Sequence, residues 1–463
     1  MITRKNILLI TASLGVFVEA LDIAIINLAM PLIQKEIALN DADVQWLQTL
    51  YLLSYGGLLI VGGKLTDTFG RRPIFLVGSL LFLVTSLGAG FATSFAALAF
   101  FRVVQGIAAA LVMPSAFSII SNAFTDATER SKALAIFSSF AAVGSGSGLS
   151  VGGLIATYLG WQWVFFINVP ILLLTISMAY LHVTDEKTAQ PKAFPDILSG
   201  LLITVLIGIL TYLVHELVHL KDHPGRTLGL VGALVAGGLW FCARLRHQPE
   251  PLIDFSVLRG PNTRTGNGVV LLLGAFFSGY LFLVSLIAQK SMHYTAAEAG
   301  LFLFPFSFAS IFLSKTLLPY LFRTLSSRGV AILGMSLMTT GGLLLFGSVQ
   351  GGSQLFLLLL SAACVTGSGM LICFTSLMGI AVQDVPRDHH GLASGITNTC
   401  YFFGAGLGLS VLAIFISASS GENRYELPTL VLTSYAVLGI IWLLASRSKK
   451  HSKPAPLLED SLA

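Results

Sequence analysis

A few side chains able to do acid–base or metal chemistry stand out because they lie in otherwise apolar stretches. Glu19 and Asp22 are three residues apart in the apolar run 7–33, and Arg102 and Gln105 repeat that spacing in the run 95–121. Residues three apart share one face of a helix. Ionisable groups in hydrocarbon cost several kcal/mol and are functional candidates by default. Asp22 stays charged if it meets the Arg102 guanidinium. Glu19 has no obvious cation, which suits it to carry a proton and exchange it. These three are the candidate proton-coupling residues, set against the alternative of a structural ion pair that fixes helix register. A separate string, His215-Glu216-Leu217-Val218-His219, matches HExxH, in which two histidines one turn apart bind zinc and the glutamate acts as base.

The elements that must position these groups are membrane spans. Apolar residues make up 55% of the 463 residues, charged residues 11%, and mean hydropathy is +0.83. A soluble domain carries roughly 25% charged residues, so the soluble class is excluded. Apolar runs long enough to cross a bilayer, about 20 residues each, lie near 7–33, 44–63, 73–92, 95–121, 133–158 and 163–183, then 197–214 and 227–243. A second set of six lies near 268–288, 299–318, 329–348, 354–382, 391–417 and 428–446. The first run follows Arg4 and Lys5 but shows no small-residue cleavage pattern, and is read as a retained span rather than a signal peptide.

Charge orients the spans. With the N-terminus cytoplasmic, 21 of the 27 Lys and Arg fall in cytoplasmic segments and five outside, with Arg102 left inside span 4. The positive-inside rule then places both termini in the cytoplasm and makes the span count even. The net charge of +5 therefore lies along one membrane face, and no nucleic-acid partner is expected. No GxxxxGK[ST] loop is present, which argues against an ATP-driven pump. The four cysteines form no CxxC pair. The HExxH string sits at the outer end of span 7 with no surrounding domain, so neither a metal site nor an enzyme is expected.

Depth along the helices supports a pairing. Asp22 lies about 22 Å along an outward span 1, and Arg102 about 10 Å along an inward span 4. In a core about 30 Å thick both fall in the outer half, so Asp22 faces Arg102 and Glu19 faces Gln105 if the two spans are neighbours.

An internal repeat is also visible. Residues 144–151 read GSGSGLSV and residues 404–411 read GAGLGLSV, each in the fifth span of a six-span set. Duplicated bundles facing each other are how many secondary transporters build a central site with alternating access. Gly144, Gly148 and Gly152, with Gly153, give a flat face for close helix packing.

Between spans 2 and 3 lies Gly63-Lys-Leu-Thr-Asp67-Thr-Phe-Gly70-Arg71-Arg72-Pro73. A basic loop obeying the positive-inside rule explains the arginines but not the Gly-x-Leu-x-Asp-x-x-Gly spacing. The string resembles the loop signature of the major facilitator superfamily. That resemblance implies a latch between the two bundles in the outward-facing state, formed by Gly63, Asp67, Gly70, Arg71 and Arg72. Leu21-Asp22 through Asn27 to Pro31, Arg102-Val-Val-Gln105-Gly106, and Gly160-Trp161 through Asn168 to Pro170 extend the likeness. With two extra central spans, the chain is similar to the fourteen-span drug:proton antiporters over roughly 7–446. One departure is Leu149, where those exporters carry a proline in Gly-Pro-x-x-Gly-Gly. Close packing survives the change, and the proline bend is lost.

The expected architecture is an all-α polytopic membrane protein of two six-helix bundles with two extra central helices. Residues 1–185 form the first bundle, 186–265 the linker with two spans, 266–446 the second bundle and 447–463 a cytoplasmic tail. Asn27, Tyr51, Gln105, Asn398 and Tyr401 are candidate substrate-cavity residues. The resemblance implies a multidrug-efflux antiporter of the plasma membrane, exporting lipophilic or cationic compounds for protons, with no cofactor beyond the proton gradient. Its partners are a small-molecule substrate, protons and lipid, and it is expected to work as a monomer. Alternatives are another cargo (a metabolite, lipid or siderophore), symport, or an HExxH membrane protease.

Overall fold

The computed structural model describes residues 3–184, 196–217, 224–247, 258–350, 354–386, 389–419 and 424–446. Among these, every regular element is a helix. The first set is α1 (Arg4–Glu36), α2 (Asp41–Phe69), α3 (Arg71–Gly90), α4 (Phe95–Ala123), α5 (Ala127–Tyr158), and α6 (Trp163–Phe166) continued by α7 (Asn168–His182). A hairpin of α8 (Ile197–Glu216) and α9 (Pro224–His247) follows. The last set is α10 (Pro261–Leu286), α11 (Ala296–Thr324), α12 (Ser327–Gln350), α13 (Gln354–Ala362) with α14 (Met370–Val382), α15 (His390–Ala418) and α16 (Glu426–Ala445). Two π-helical stretches, Ile287–Ser291 and Ala363–Gly369, extend α10 and join α13 to α14.

Thirteen helices among the described residues are long and apolar enough to cross a membrane. The remaining expected run, 299–318, falls in α11, a single helix over Ala296–Thr324. His219, His223 and the tail 447–463 lie outside the described residues.

The helices start where side chains can satisfy the open N–H groups of a first turn. Thr3, Asn40 and Ser94 each accept from the backbone three residues on, and Thr295 with Glu298 closes a capping box at α11. Between α2 and α3 a single residue makes the turn. Gly70 does so at φ 92°, a conformation that strains any side chain. Helix surfaces facing away from the core are apolar. Val77, Leu80 and Val84 on α3 are all about half exposed, at helical spacing. Such a surface is stable against lipid and not against water.

The glycine repeat is a packing device in both halves. A Cβ on Gly144 would stand 2.5 Å from the Phe17 carbonyl oxygen, and one on Gly148 2.8 Å from that of Leu21, both on α1. In the second half a Cβ on Gly404 would strike the Leu271 carbonyl, and one on Gly408 would stand 2.5 Å from Ala275 Cα, both on α10. Thus α5 lies against α1 as α15 lies against α10. Helix α5 runs unbroken through Leu149.

The bundles meet unevenly. Taking the end of α1 at Glu36 as the far face, hydrogen bonds join the bundles there. Ser285 donates to the Asn27 carbonyl at 2.6 Å, Lys290 to Gln34 at 2.6 Å, and the Ala297 N–H to Thr157 at 3.0 Å. Gly153 fits directly under the Ala296 backbone. At mid-depth Thr399 donates to the Gly56 carbonyl at 2.9 Å. Toward the near face, much of α5 before Gly144 and of α11 beyond Pro305 is exposed.

The α8–α9 hairpin is central in sequence and peripheral in space. Helix α8 packs across the α2–α15 seam, and α9 touches chiefly α8. At its near end Asp196 caps α8 and accepts from Arg244 at 2.7 Å. Burial raises the affinity of Asp196 for a proton, but bonds from Arg244 and Ser199 outweigh it and hold the carboxyl below its ordinary range. Stability from a lowered carboxyl is present above the unfolded pKa and is lost as pH falls through the folded one. Arg244→Gln should therefore melt below the parent protein near pH 7, with the gap closing as pH drops beneath about 4.

A second expectation concerns the glycine face. Gly148→Leu should cost about 1–3 kcal/mol by overpacking, whereas Gly238→Ala, with nothing within 4 Å, should leave the melting temperature unchanged. Thermal unfolding of detergent-purified variants measures both.

Candidate functional site

The first bundle encloses a charged network. Arg102 Nη1 lies 2.5 Å from Asp22 Oδ2, and both side chains are sealed from solvent. The guanidinium also donates through Nε to the Leu47 carbonyl at 3.1 Å and through Nη1 to Gln105 Oε1 at 3.0 Å. Gln105 passes the chain on to Ser86 Oγ at 3.0 Å. Asn168 Nδ2 donates to the second oxygen of Asp22 at 3.0 Å. The Tyr51 ring covers one face of the guanidinium at 4.3 Å, a cation–π contact. Helices α1, α2, α3, α4 and α7 thus all contribute. Gly106 lets α4 press against the Tyr51 backbone, which brings Arg102 within reach of Leu47.

The pairing expected from helix depth is present for Asp22 and Arg102. Glu19 and Gln105 do not bond, because Gln105 turns toward Arg102 and Ser86. Glu19 is buried beside Asp22, and its Oε2 has no hydrogen-bond partner. A buried carboxylate in that position is costly, and the neutral acid much less so. Asn168 and Ser86 were not anticipated as members. Their only signal in the sequence is a polar side chain inside an apolar run, which does not name a partner.

The expected cavity residues separate. Tyr51 and Gln105 belong to the network, fully buried. Asn27 is also buried and returns its amide to the carbonyls of Ile23 and Ala24 on its own helix. Asn398 bonds back to the Ser394 carbonyl, and Tyr401 packs edge-on against Phe374. A far-face cavity of about 570 Å³ is lined by none of these five but by Gln34, Lys35, Thr157, Gln289 and Lys290. A row of rings nevertheless connects the network to the second bundle. Tyr51 meets Tyr55 at 6.0 Å, Tyr55 meets Phe402 at 4.2 Å, and Phe402 meets Tyr401 at 5.3 Å.

In the α2–α3 turn, Gly63 and Gly70 are partly buried and Asp67 is exposed. Arg72 donates to the Tyr180 carbonyl at 3.0 Å and lies over its ring, and Arg71 is half-buried. In the HExxH segment, Glu216 pairs with Arg226 at 3.5 Å. Among the described residues no group of three His, Cys, Asp or Glu is placed to hold a metal ion.

Both the sequence and the fold of this chain are matched by known proteins. Residues 12–409 fit the sequence pattern of the Major Facilitator Superfamily. The chain belongs to that superfamily. It is 29% identical over 412 residues to the multidrug resistance protein Stp of Mycobacterium tuberculosis, covering 89% of this chain and 75% of the relative. It is 30% identical to the tetracenomycin C resistance and export protein of Streptomyces glaucescens, covering 89% and 76%. The cephamycin export protein CmcT of Amycolatopsis lactamdurans is also 30% identical, covering 90% and 86%. In fold, the chain superposes on the nucleoside transporter NupG with a TM-score of 0.69 at 12% identity, covering 96% of this chain and all of the other. The protein is thus a multi-pass membrane transporter rather than an enzyme.

Removing one member of the buried pair exposes what the other costs. Asp22→Ala strands the Arg102 guanidinium and should destabilise the first bundle by about 3–5 kcal/mol, while Asp22→Leu combined with Arg102→Met should recover most of that loss. Thermal unfolding of the three proteins in one detergent checks it.

Proposed function

We propose that this transporter exports lipophilic or cationic compounds in exchange for protons, as a member of the fourteen-span drug:proton antiporter branch. In this reading residues 1–185 and 266–446 are the two moving bundles, 186–265 carries the inserted hairpin and 447–463 is a cytoplasmic tail. The protein works as a monomer in the plasma membrane, with both termini in the cytoplasm and the proton gradient as its only driving force. The observation that carries the proposal is Glu19, a buried carboxyl with an unbonded oxygen beside the neutralised Asp22–Arg102 pair. A proton on Glu19 removes an unpaired charge from the interior, and loss of that proton restores one, so protonation biases which conformation is stable. The names of relatives linked to resistance and export support export as the direction of transport.

The geometry also supports alternating access. The bundles are bonded at the far face, and α5 and α11 are exposed near the other. That is an inward-open arrangement if the N-terminus is cytoplasmic. Asp67 is exposed in it, as expected of a latch that engages only when the near face closes. The ring row from Tyr51 to Phe402 gives the protonation site physical contact with α15 of the other bundle.

Everted membrane vesicles that hold an imposed proton gradient provide the test. Adding a lipophilic cation should alkalinise the interior as protons leave in exchange, and Glu19→Gln or Asp22→Asn should reduce gradient-driven accumulation at least tenfold. Full proton-driven accumulation in both variants would sink the proposal.

A further inference from the structure

A second cavity, of about 590 Å³, lies where the hairpin leaves the bundles at the far face, walled by α2, α8, the start of α9 and Phe95 of α4. Its size is that of a pocket for a drug-sized molecule. Three rings cluster on its wall. Trp46 and Tyr212 are 6.0 Å apart, Trp46 and His215 6.0 Å, and Tyr212 and His215 6.3 Å between centroids. A triangle of that size lets one cation stand within about 6 Å of all three centroids, the range over which ring faces attract positive charge. Two carboxyl groups, Asp43 and Glu216, share the lining. Glu216 is almost fully buried.

The site already attracts a cation from the chain itself. The Arg226 guanidinium lies over the Tyr212 ring at 5.3 Å, donates to the Tyr212 hydroxyl, and pairs with Glu216 at 3.5 Å. Its side chain is 57% exposed, so it sits at the rim and leaves the interior to another occupant. The remaining walls, among them Leu50, Leu53 and Ile209, are apolar. Aromatic faces, buried carboxylate and apolar walls together select a weakly hydrated organic cation over an anion or a small hydrated ion.

We propose that this cavity is a binding site for an organic ammonium or other lipophilic cation, separate from the Asp22–Arg102 network, with Trp46, Tyr212 and Glu216 as its recognition residues and Arg226 as an internal competitor. The proposal does not rest on proton coupling. Its ligand chemistry has two sources, a lipophilic cationic solute and the ammonium of a lipid headgroup in the facing leaflet.

Equilibrium binding of tetraphenylphosphonium to the full chain in phosphatidylglycerol nanodiscs tests it, with tetraphenylborate as the anion of the same shape. Trp46→Leu and Glu216→Gln should each weaken binding about tenfold. Arg226→Ala should strengthen it severalfold, a gain that misfolding cannot produce. Binding is read without a proton gradient, so failure of this site and failure of proton-coupled export are distinguishable. Wild-type affinity in Trp46→Leu, Glu216→Gln and Arg226→Ala, or equal loss of tetraphenylborate binding, overturns the proposal. Replacing part of the lipid with phosphatidylethanolamine identifies the source. Displacement of the probe supports a headgroup, and undiminished binding supports a lipophilic cation.

Discussion

A guanidinium in the interior of a membrane bundle constrains everything packed around it. Arg102 is tolerable there because its charge is neutralised by Asp22, its Nε and Nη1 donate to Leu47, Asp22 and Gln105, and Tyr51 lies over its face, while Nη2 is left without a partner. Those partners come from three helices, and Asn168 and Ser86 bring in two more. None of these helices can rotate or slide appreciably without unpairing a buried polar group, which costs more than any single apolar contact gains. The first bundle is therefore held as one body. The glycine face of α5 then closes on α1, at a distance that only missing side chains permit.

The second bundle repeats the glycine packing without the charge. Its α10 and α15 approach at Gly404 and Gly408 as α1 and α5 do at Gly144 and Gly148. Rigid halves joined by a weaker seam are what a rocking transporter requires. The far-face seam fits that need. Its hydrogen bonds involve Ser285, Gln289, Lys290 and Thr157, mostly single bonds to carbonyls or neutral side chains. Each is worth about 1 kcal/mol net, so a modest difference between protonation or ligand states can open it.

The hairpin gives the structure a second chemical character. Its near end is fastened by Asp196 and Arg244, and its far end by Glu216 and Arg226. Between them α9 contributes little to the core and meets mostly lipid-facing space. Of the HExxH string, two described residues have partners in the hairpin region: Glu216 pairs with an arginine, and His215 lies edge-on to Trp46. A spacing that suits a metal on an isolated helix says nothing about which neighbours arrive in the fold.

Much was legible in the amino-acid order. Long apolar runs must be helices in lipid, because only a helix bonds its own backbone there. The repeat at residues 144 and 404 marked the faces on which α5 meets α1 and α15 meets α10. Helix depth was enough to match Asp22 with Arg102. Depth is a one-dimensional quantity, however, and azimuth is not. Glu19 was matched with Gln105 on depth, yet Gln105 turns to Arg102 and Ser86 instead. Tyr51 was expected at a cavity and lies on the guanidinium. Asn168 was a polar residue in a span until α7 brought it to Asp22. The amino-acid order alone was enough for an all-helical membrane fold, for the Asp22–Arg102 pair and for the groups too costly to bury unpaired. Only the tertiary structure decided which faces meet, because rotation of each helix about its axis is set jointly by all its neighbours.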